Sequence, residues 1–153
     1  MPADKPVISR LTASARFETR KRTHVRIRNH RLKIDDATER GGTDTAPNPP
    51  ETMLASLARC LNIQVNRLAN ERGIELHGVE IFIDADFDRR AVTWGEDVAI
   101  PFPLVRVSLT GRSDGSTRKL AALRRDVLMQ CPVSRLMIEG GTKFRQSWKL
   151  DKI

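Results

Sequence analysis

The order of patterns along this chain predicts an α+β fold, with helices packed on a mostly antiparallel sheet. Three observations carry that expectation. Apolar and polar residues alternate with period two in several separate stretches, a long helical stripe runs from Met53 to Ala69, and a second helical stripe is interrupted at Pro132. At 153 residues the chain is read as one domain over 1–153, large enough to bury a core without covalent staples.

Residues 7–34 read as strands. Leu11, Ala13, Ala15 and Phe17 alternate with polar residues, Val25 and Ile27 alternate with His24, Arg26 and Arg28, and His30–Ile34 begins a further strand. The polar stretch Glu18–Thr23 is a turn, and the Gly, Asp and Pro content of Glu39–Pro47 marks a loop. Asn48 then suits an N-cap, Pro49 the first helical position, and Glu51 completes a capping box. Leu54, Leu57, Ala58, Leu61, Val65 and Leu68 keep helical spacing, and Gly73 supplies the stop. The stripe is broad, so this helix is expected to be largely buried.

Residues 74–87 alternate as one long strand, kinked at Gly78, and a loop carrying Trp94, Pro101 and Pro103 follows. Leu104–Leu109 is the next strand, with Val105, Val107 and Leu109 on one face. Ser116 caps a second helix through Leu128. Pro132 disfavours helical geometry at Cys131, and Val133–Ile138 restarts as a short helix. Gly140-Gly141 leads to a last strand, Lys143–Leu150.

Composition narrows the classes. The first thirty residues hold Asp4, Arg10 and Arg16 among scattered apolar positions, so no secretory leader is read there, and no apolar run reaches membrane-span length. A reducing, cytoplasmic setting is the default expectation, in which a lasting structural disulfide is disfavoured. The net charge of +8 raises nucleic acid as a partner, and the basic residues concentrate between Arg20 and Lys33 with no acid among them. A solvated strand face accounts for such a run equally simply. Aromatics make up only 5% of the chain and Tyr is absent, which argues against base stacking on single strands, so nucleic acid is not the expected partner.

The two cysteines hold the chemistry. Cys60 and Cys131 are too few for a disulfide scaffold and too far apart in sequence for a CxxC clip. They are either separate core thiols or a pair that meets in the fold. Cys131 precedes Pro132 at a helix start, where unpaired N–H groups and the helix dipole favour a thiolate. Cys60 lies in mid-helix and, taken alone, reads as a small buried hydrophobe. Glu51 reads as a capping carboxylate, a position from which it could also orient an arginine. His24, His30 and His77 form no ligand set, and Gly41-Gly42 lacks the GK[ST] of a phosphate loop, so neither metal nor cofactor is called for.

The run Gly41-Gly42-Thr43-Asp44-Thr45-Ala46-Pro47-Asn48-Pro49-Pro50-Glu51, followed by Met53-Leu54-Ala55-Ser56-Leu57-Ala58-Arg59-Cys60, resembles the OsmC-like family. Its members open their central helix with a P-x-E-L-L-L-A-A-L-A-x-C type segment. Gly73–Glu80 and Cys131-Pro132-Val133 resemble the family's post-helix strand and second-cysteine motif, and the likeness runs from about residue 10 to 150. The resemblance implies a two-layer α+β fold, an intertwined homodimer with two central helices, and thiol peroxidase activity. It makes Cys60 the peroxidatic thiol and Cys131 the resolving one, with Glu51 holding an arginine that stabilises the thiolate. Arg22, at the end of the Glu18–Thr23 turn, is assigned that arginine, with Arg20 as the other candidate. The spacing from Glu51 to Cys60 is one residue shorter than in the hydroperoxide-resistance branch and fits a less characterised branch.

The expected activity is cofactor-free reduction of an organic hydroperoxide, with an external dithiol as reductant. Met53, Leu57 and Met137 would favour an organic peroxide over hydrogen peroxide. Two other readings stand beside it. One is a basic binding protein or redox sensor without turnover, and the other is a thiol protein acting on an electrophile that is not a peroxide.

Overall fold

The computed structural model describes residues 6–153, so Asp4 lies outside the described residues. The chain forms two compact units, one ending at Thr52 and one running Met53–Ile153.

The first unit holds a three-stranded antiparallel sheet of β1 (Ser14–Phe17), β2 (Thr23–Ile27) and β3 (His30–Ile34), in that order. Alternation places these strands where expected, although β1 begins only at Ser14. A two-residue loop, Arg28-Asn29, joins β2 to β3, with Ile27 opposite His30. After β3 the chain turns through a short 3-10 segment, Thr38–Arg40.

The loop is pinned by one carboxylate. Asp35 is buried and accepts hydrogen bonds from the backbone N–H and hydroxyl groups of both Thr43 and Thr45. These donors, Thr43 foremost, hold its carboxyl well below the usual carboxylate range. The unit closes on the capping box. Asn48 Oδ1 accepts from Glu51 N–H at 3.0 Å, and Glu51 Oε2 accepts from Asn48 N–H at 2.8 Å.

Helix α1 (Pro49–Glu71) starts there and runs through the second unit. Its Leu57, Leu61, Val65, Leu68 and Ala69 are buried, and Gly73 at φ +60 ends the turn after it. The second sheet has the order β4 (Leu76–Asp86), β5 (Leu104–Ser113), β6 (Lys143–Lys152). The register puts Ile81, Leu109 and Trp148 in one row and Ala85, Val105 and Phe144 in another, which gives the sheet an apolar face. The expected kink is a bulge, with the register shifting between His77 and Glu80 around Gly78 at φ +58. Gly111 faces it, and a Cβ there would come within 3.0 Å of the His77 carbonyl.

Three features differ from the sequence expectation. The strands divide between two three-stranded sheets, because each set closes locally around its own middle strand. Strand β6 runs parallel to β5, because helices α3 (Thr117–Gln130) and α4 (Pro132–Glu139) form a crossover that brings the chain back to the same end. The loop after β4 contains a short helix, α2 (Arg90–Trp94), too brief to register as a periodicity. It starts where Asp88 accepts from the Arg90 N–H and stops at Gly95 in the left-handed conformation.

Helices α1, α3 and α4 cover the apolar face of β5 in one core, with Leu57, Leu61, Val105, Leu123, Val127 and Cys131 almost wholly buried. Arg67 to Gln130 at 2.6 Å ties α1 to α3, and Arg72, in the turn just after α1, pairs with Asp126 of α3 at 2.6 Å. Among the described residues, no helix is long and apolar enough to cross a membrane.

Asn48→Ala should remove one half of the capping box and cost about 1 kcal/mol, read as a lower urea midpoint at unchanged slope. The Asp35 carboxyl is depressed in the fold, so its stabilisation is full above the ordinary carboxylate pKa of about 4 and is lost as pH falls further. Asp35→Asn should therefore melt lower than wild type at pH 7, and the gap should close on acidification.

Candidate functional site

The site is built where α3 ends. Helical geometry stops at Cys131, whose φ of −82° and ψ of 115° are extended, as the residue before a proline requires. Pro132 then occupies the first position of α4, where its missing N–H costs nothing. Cys131 is thus at once the C-cap of α3 and the N-cap of α4. Its sulfur accepts from the Ser134 N–H at 3.4 Å, the hydrogen bond an N-cap side chain ordinarily makes through oxygen. The Ser134 hydroxyl donates to the carbonyls of Leu128 and Cys131 and locks the junction.

This junction packs against the middle of α1, and the two cysteines meet. The Cys131 thiol donates to the Cys60 sulfur with the sulfurs 2.7 Å apart. Both cysteines are free thiols in this structure. They differ in access, since Cys131 is 0% exposed and Cys60 is only half-buried. Leu57 and Met137 belong to the same core as Cys131, and Met53 packs on its margin.

Electrostatics act unevenly on the pair. Burial pushes the Cys60 thiol up to about 11, the adjoining Cys131 thiol adds to the rise, and a hydrogen bond from the Val133 N–H opposes it. The first turn of α4 therefore serves both sulfurs, Val133 N–H for Cys60 and Ser134 N–H for Cys131. The sequence pointed to amide help for Cys131 alone. Its share for Cys60 depends on α1 reaching the α4 terminus, which no local pattern encodes.

Glu51 and Arg22 belong to the first unit. Glu51 makes the capping box described above. The Arg22 guanidinium is held by Glu18 through Nε at 2.8 Å and Nη2 at 2.9 Å, and it donates from Nη1 to Thr43 Oγ1 at 2.9 Å. Glu18 also pairs with His24 Nε2 at 2.6 Å. Arg22 foremost, then His24, holds the Glu18 carboxyl below its ordinary value. Arg22 and Glu51 are not hydrogen-bonded to one another, so the structure brings together the two thiols but not this pair.

Known proteins with this architecture agree with the sequence resemblance. Three solved structures superpose along almost their whole length. The OsmC-like protein of Mycoplasma pneumoniae has a TM-score of 0.79 at 13% identity, covering 95% of this chain and 99% of that one. The organic hydroperoxide resistance protein OsmC of Legionella pneumophila gives 0.67 at 22% identity, covering 95% and 100%. The organic hydroperoxide resistance protein of Elizabethkingia anophelis gives 0.68 at 15%, covering 96% and 100%. At these identities the likeness establishes the fold. Comparison with curated proteins by sequence returns no match. The family model for OsmC-like protein matches residues 42–147, which include the capping box, both cysteines and the whole crossover, and the chain belongs to the OsmC-like family.

Proposed function

We propose that this protein is a thiol-dependent hydroperoxide reductase that acts on organic hydroperoxides through Cys60 and Cys131. The observation that carries the reading is the 2.7 Å approach of two free sulfurs with unequal access. The half-buried Cys60 is the one an incoming peroxide can reach, and the enclosed Cys131 is the one that waits. Two structural neighbours are organic hydroperoxide resistance proteins, which supports the same substrate class.

In the proposed cycle the Cys60 thiolate attacks the distal oxygen of ROOH. The O–O bond breaks, the alkoxide takes a proton and leaves as ROH, and Cys60 becomes a sulfenic acid. Cys131 attacks that sulfur, the S–O bond breaks with loss of water, and a disulfide forms. An external dithiol returns the pair to thiols by exchange. Leu57 and Met137 belong to the same apolar core as Cys131, an environment that suits an alkyl substituent on the peroxide.

The raised Cys60 thiol shows what this chemistry requires. Pushed up to about 11, the Cys60 thiol is held protonated at neutral pH. A cation that lowers it during turnover completes the reading, and Arg22, held by Glu18 and Thr43, is assigned that role. The reading treats residues 1–153 as one domain that works as a homodimer in a reducing cytoplasm. The apolar side chains of the first sheet support the dimer, since Phe17 is 86% and Leu32 43% exposed in the single chain.

Mixing the reduced protein with cumene hydroperoxide tests the cycle. Both free thiols should disappear as peroxide is consumed, Cys60→Ser should abolish consumption, and Cys131→Ser should leave a dimedone-reactive sulfenic acid. Survival of both thiols in excess peroxide would overturn the reading. A second measurement follows Cys60 alkylation against pH in the Arg22→Ala and Cys131→Ala variants. Removing Cys131 should lower the alkylation midpoint, because a neighbour that raises the thiol is gone. Removing Arg22 should raise the midpoint above that of wild type.

A further inference from the structure

The first sheet carries an arrangement that the thiol chemistry does not use. Its register aligns Ser14, Arg26 and Arg31 in one cross-strand row, and Arg16, His24 and Lys33 in the next. Residues directly opposite share a face, and so do residues two apart on one strand. One face therefore presents Arg16, Arg26, Arg31 and Lys33 together, all exposed, while Phe17, Val25, Ile27 and Leu32 take the other.

Three features of this face run against what an isolated sheet prefers. Arg26 stands directly opposite Arg31, although like charges facing one another destabilise a sheet. The ion pairs of the unit engage Lys21, Arg22, His24 and Arg40, so among the described residues Arg16, Arg26, Arg31 and Lys33 have no acidic partner. At the hairpin tip another arginine, Arg28, occupies a left-handed backbone position at φ +55, where Gly or Asn is less strained. The facing, unpaired cations are unfavourable in the free protein and become favourable against a polyanion, and Arg28 adds a further cation at the hairpin tip.

We propose that this cationic sheet face binds the phosphate backbone of duplex nucleic acid without regard to sequence. Arginine predominates on it, and a planar guanidinium fits phosphate oxygens two at a time. Along a strand the cations recur about 6.8 Å apart, about twice the 3.4 Å rise between successive phosphates of one DNA strand. The face carries no Phe, Tyr or Trp to stack on a base and no apolar side chain to enter a lipid bilayer, which favours duplex phosphates over single strands and membranes. Aromatic content in the sequence set single strands aside, whereas the alignment of the cations is visible only in the register. The inference is independent of the thiol cycle and applies to reduced and oxidised protein alike.

The test is fluorescence anisotropy of a fluorescein-labelled 20-base-pair mixed-sequence duplex, titrated with the full chain between 50 and 200 mM salt. Four phosphate contacts predict a slope of log K against log salt of about −3.6, hence a loss of about 10²-fold over that range. Arg26→Ser with Arg31→Ser should weaken binding and flatten the slope by about 2. Arg118→Ser with Arg125→Ser, the same charge change in the second unit, should leave both unchanged. Arg26→Lys with Arg31→Lys keeps the charges and the sheet, and should keep the slope. No binding at 50 mM salt, equal losses in the two serine pairs, or tighter binding to phosphatidylserine vesicles than to the duplex would each overturn the proposal.

Discussion

At Cys131 the chain cannot continue as α-helix, because the ring of Pro132 excludes helical geometry at the residue before it. The rest of the site depends on that constraint. It ends α3, starts α4, and places a sulfur where an N-cap oxygen would ordinarily lie, with Ser134 N–H pointing at it. The same break lets α4 turn so that its first amides reach across to α1. A continuous helix through residue 131 would spend those N–H groups on its own carbonyls and would offer neither sulfur a donor. The arrangement thus follows from one covalent ring and is fixed by the hydroxyl of Ser134 on the carbonyls of Leu128 and Cys131.

Bringing two thiols together in an apolar core makes their pairing easy and the ionisation of Cys60 hard. Burial and the neighbouring thiol both raise Cys60, and a single backbone N–H opposes them. A positive charge brought beside the pair would act against that rise. Within the first unit, Arg22 is held by several hydrogen bonds. Glu18 takes two of its N–H groups and Thr43 a third, while Thr43 is itself fixed by the buried Asp35. The loop and the arginine are parts of one hydrogen-bonded chain, so perturbing the carboxylate at one end disturbs the cation at the other.

The first sheet divides its chemistry by face. Period-two alternation that reads simply as a strand signal in sequence becomes, once three strands are in register, an apolar face and a cationic one. Like charges opposite one another and an arginine in a left-handed turn are costs that local stability would not select. Such departures from local preference are where a fold records demands beyond its own folding.

Much of this protein was legible from sequence because the signals were local. Asn48, Pro49 and Glu51 announced the start of α1, Gly73 its end, Gly78 the bulge and Pro132 the break, each through interactions spanning a few residues. Alternation placed every strand, and three ordered motifs pointed to the OsmC-like family. The five residues of α2 were too short to leave a period, and the parallel pairing of β6 was hidden because strand direction is set by the crossover and not by the strand itself. For the site, sequence supplied the two cysteines but left open whether they met. Their 2.7 Å approach, the raised Cys60 thiol and the sharing of α4's first turn were decided by tertiary structure alone. The physical reason is that distance and desolvation between groups remote in sequence are properties of how helices pack, and packing is encoded by the whole core and by no single segment of it.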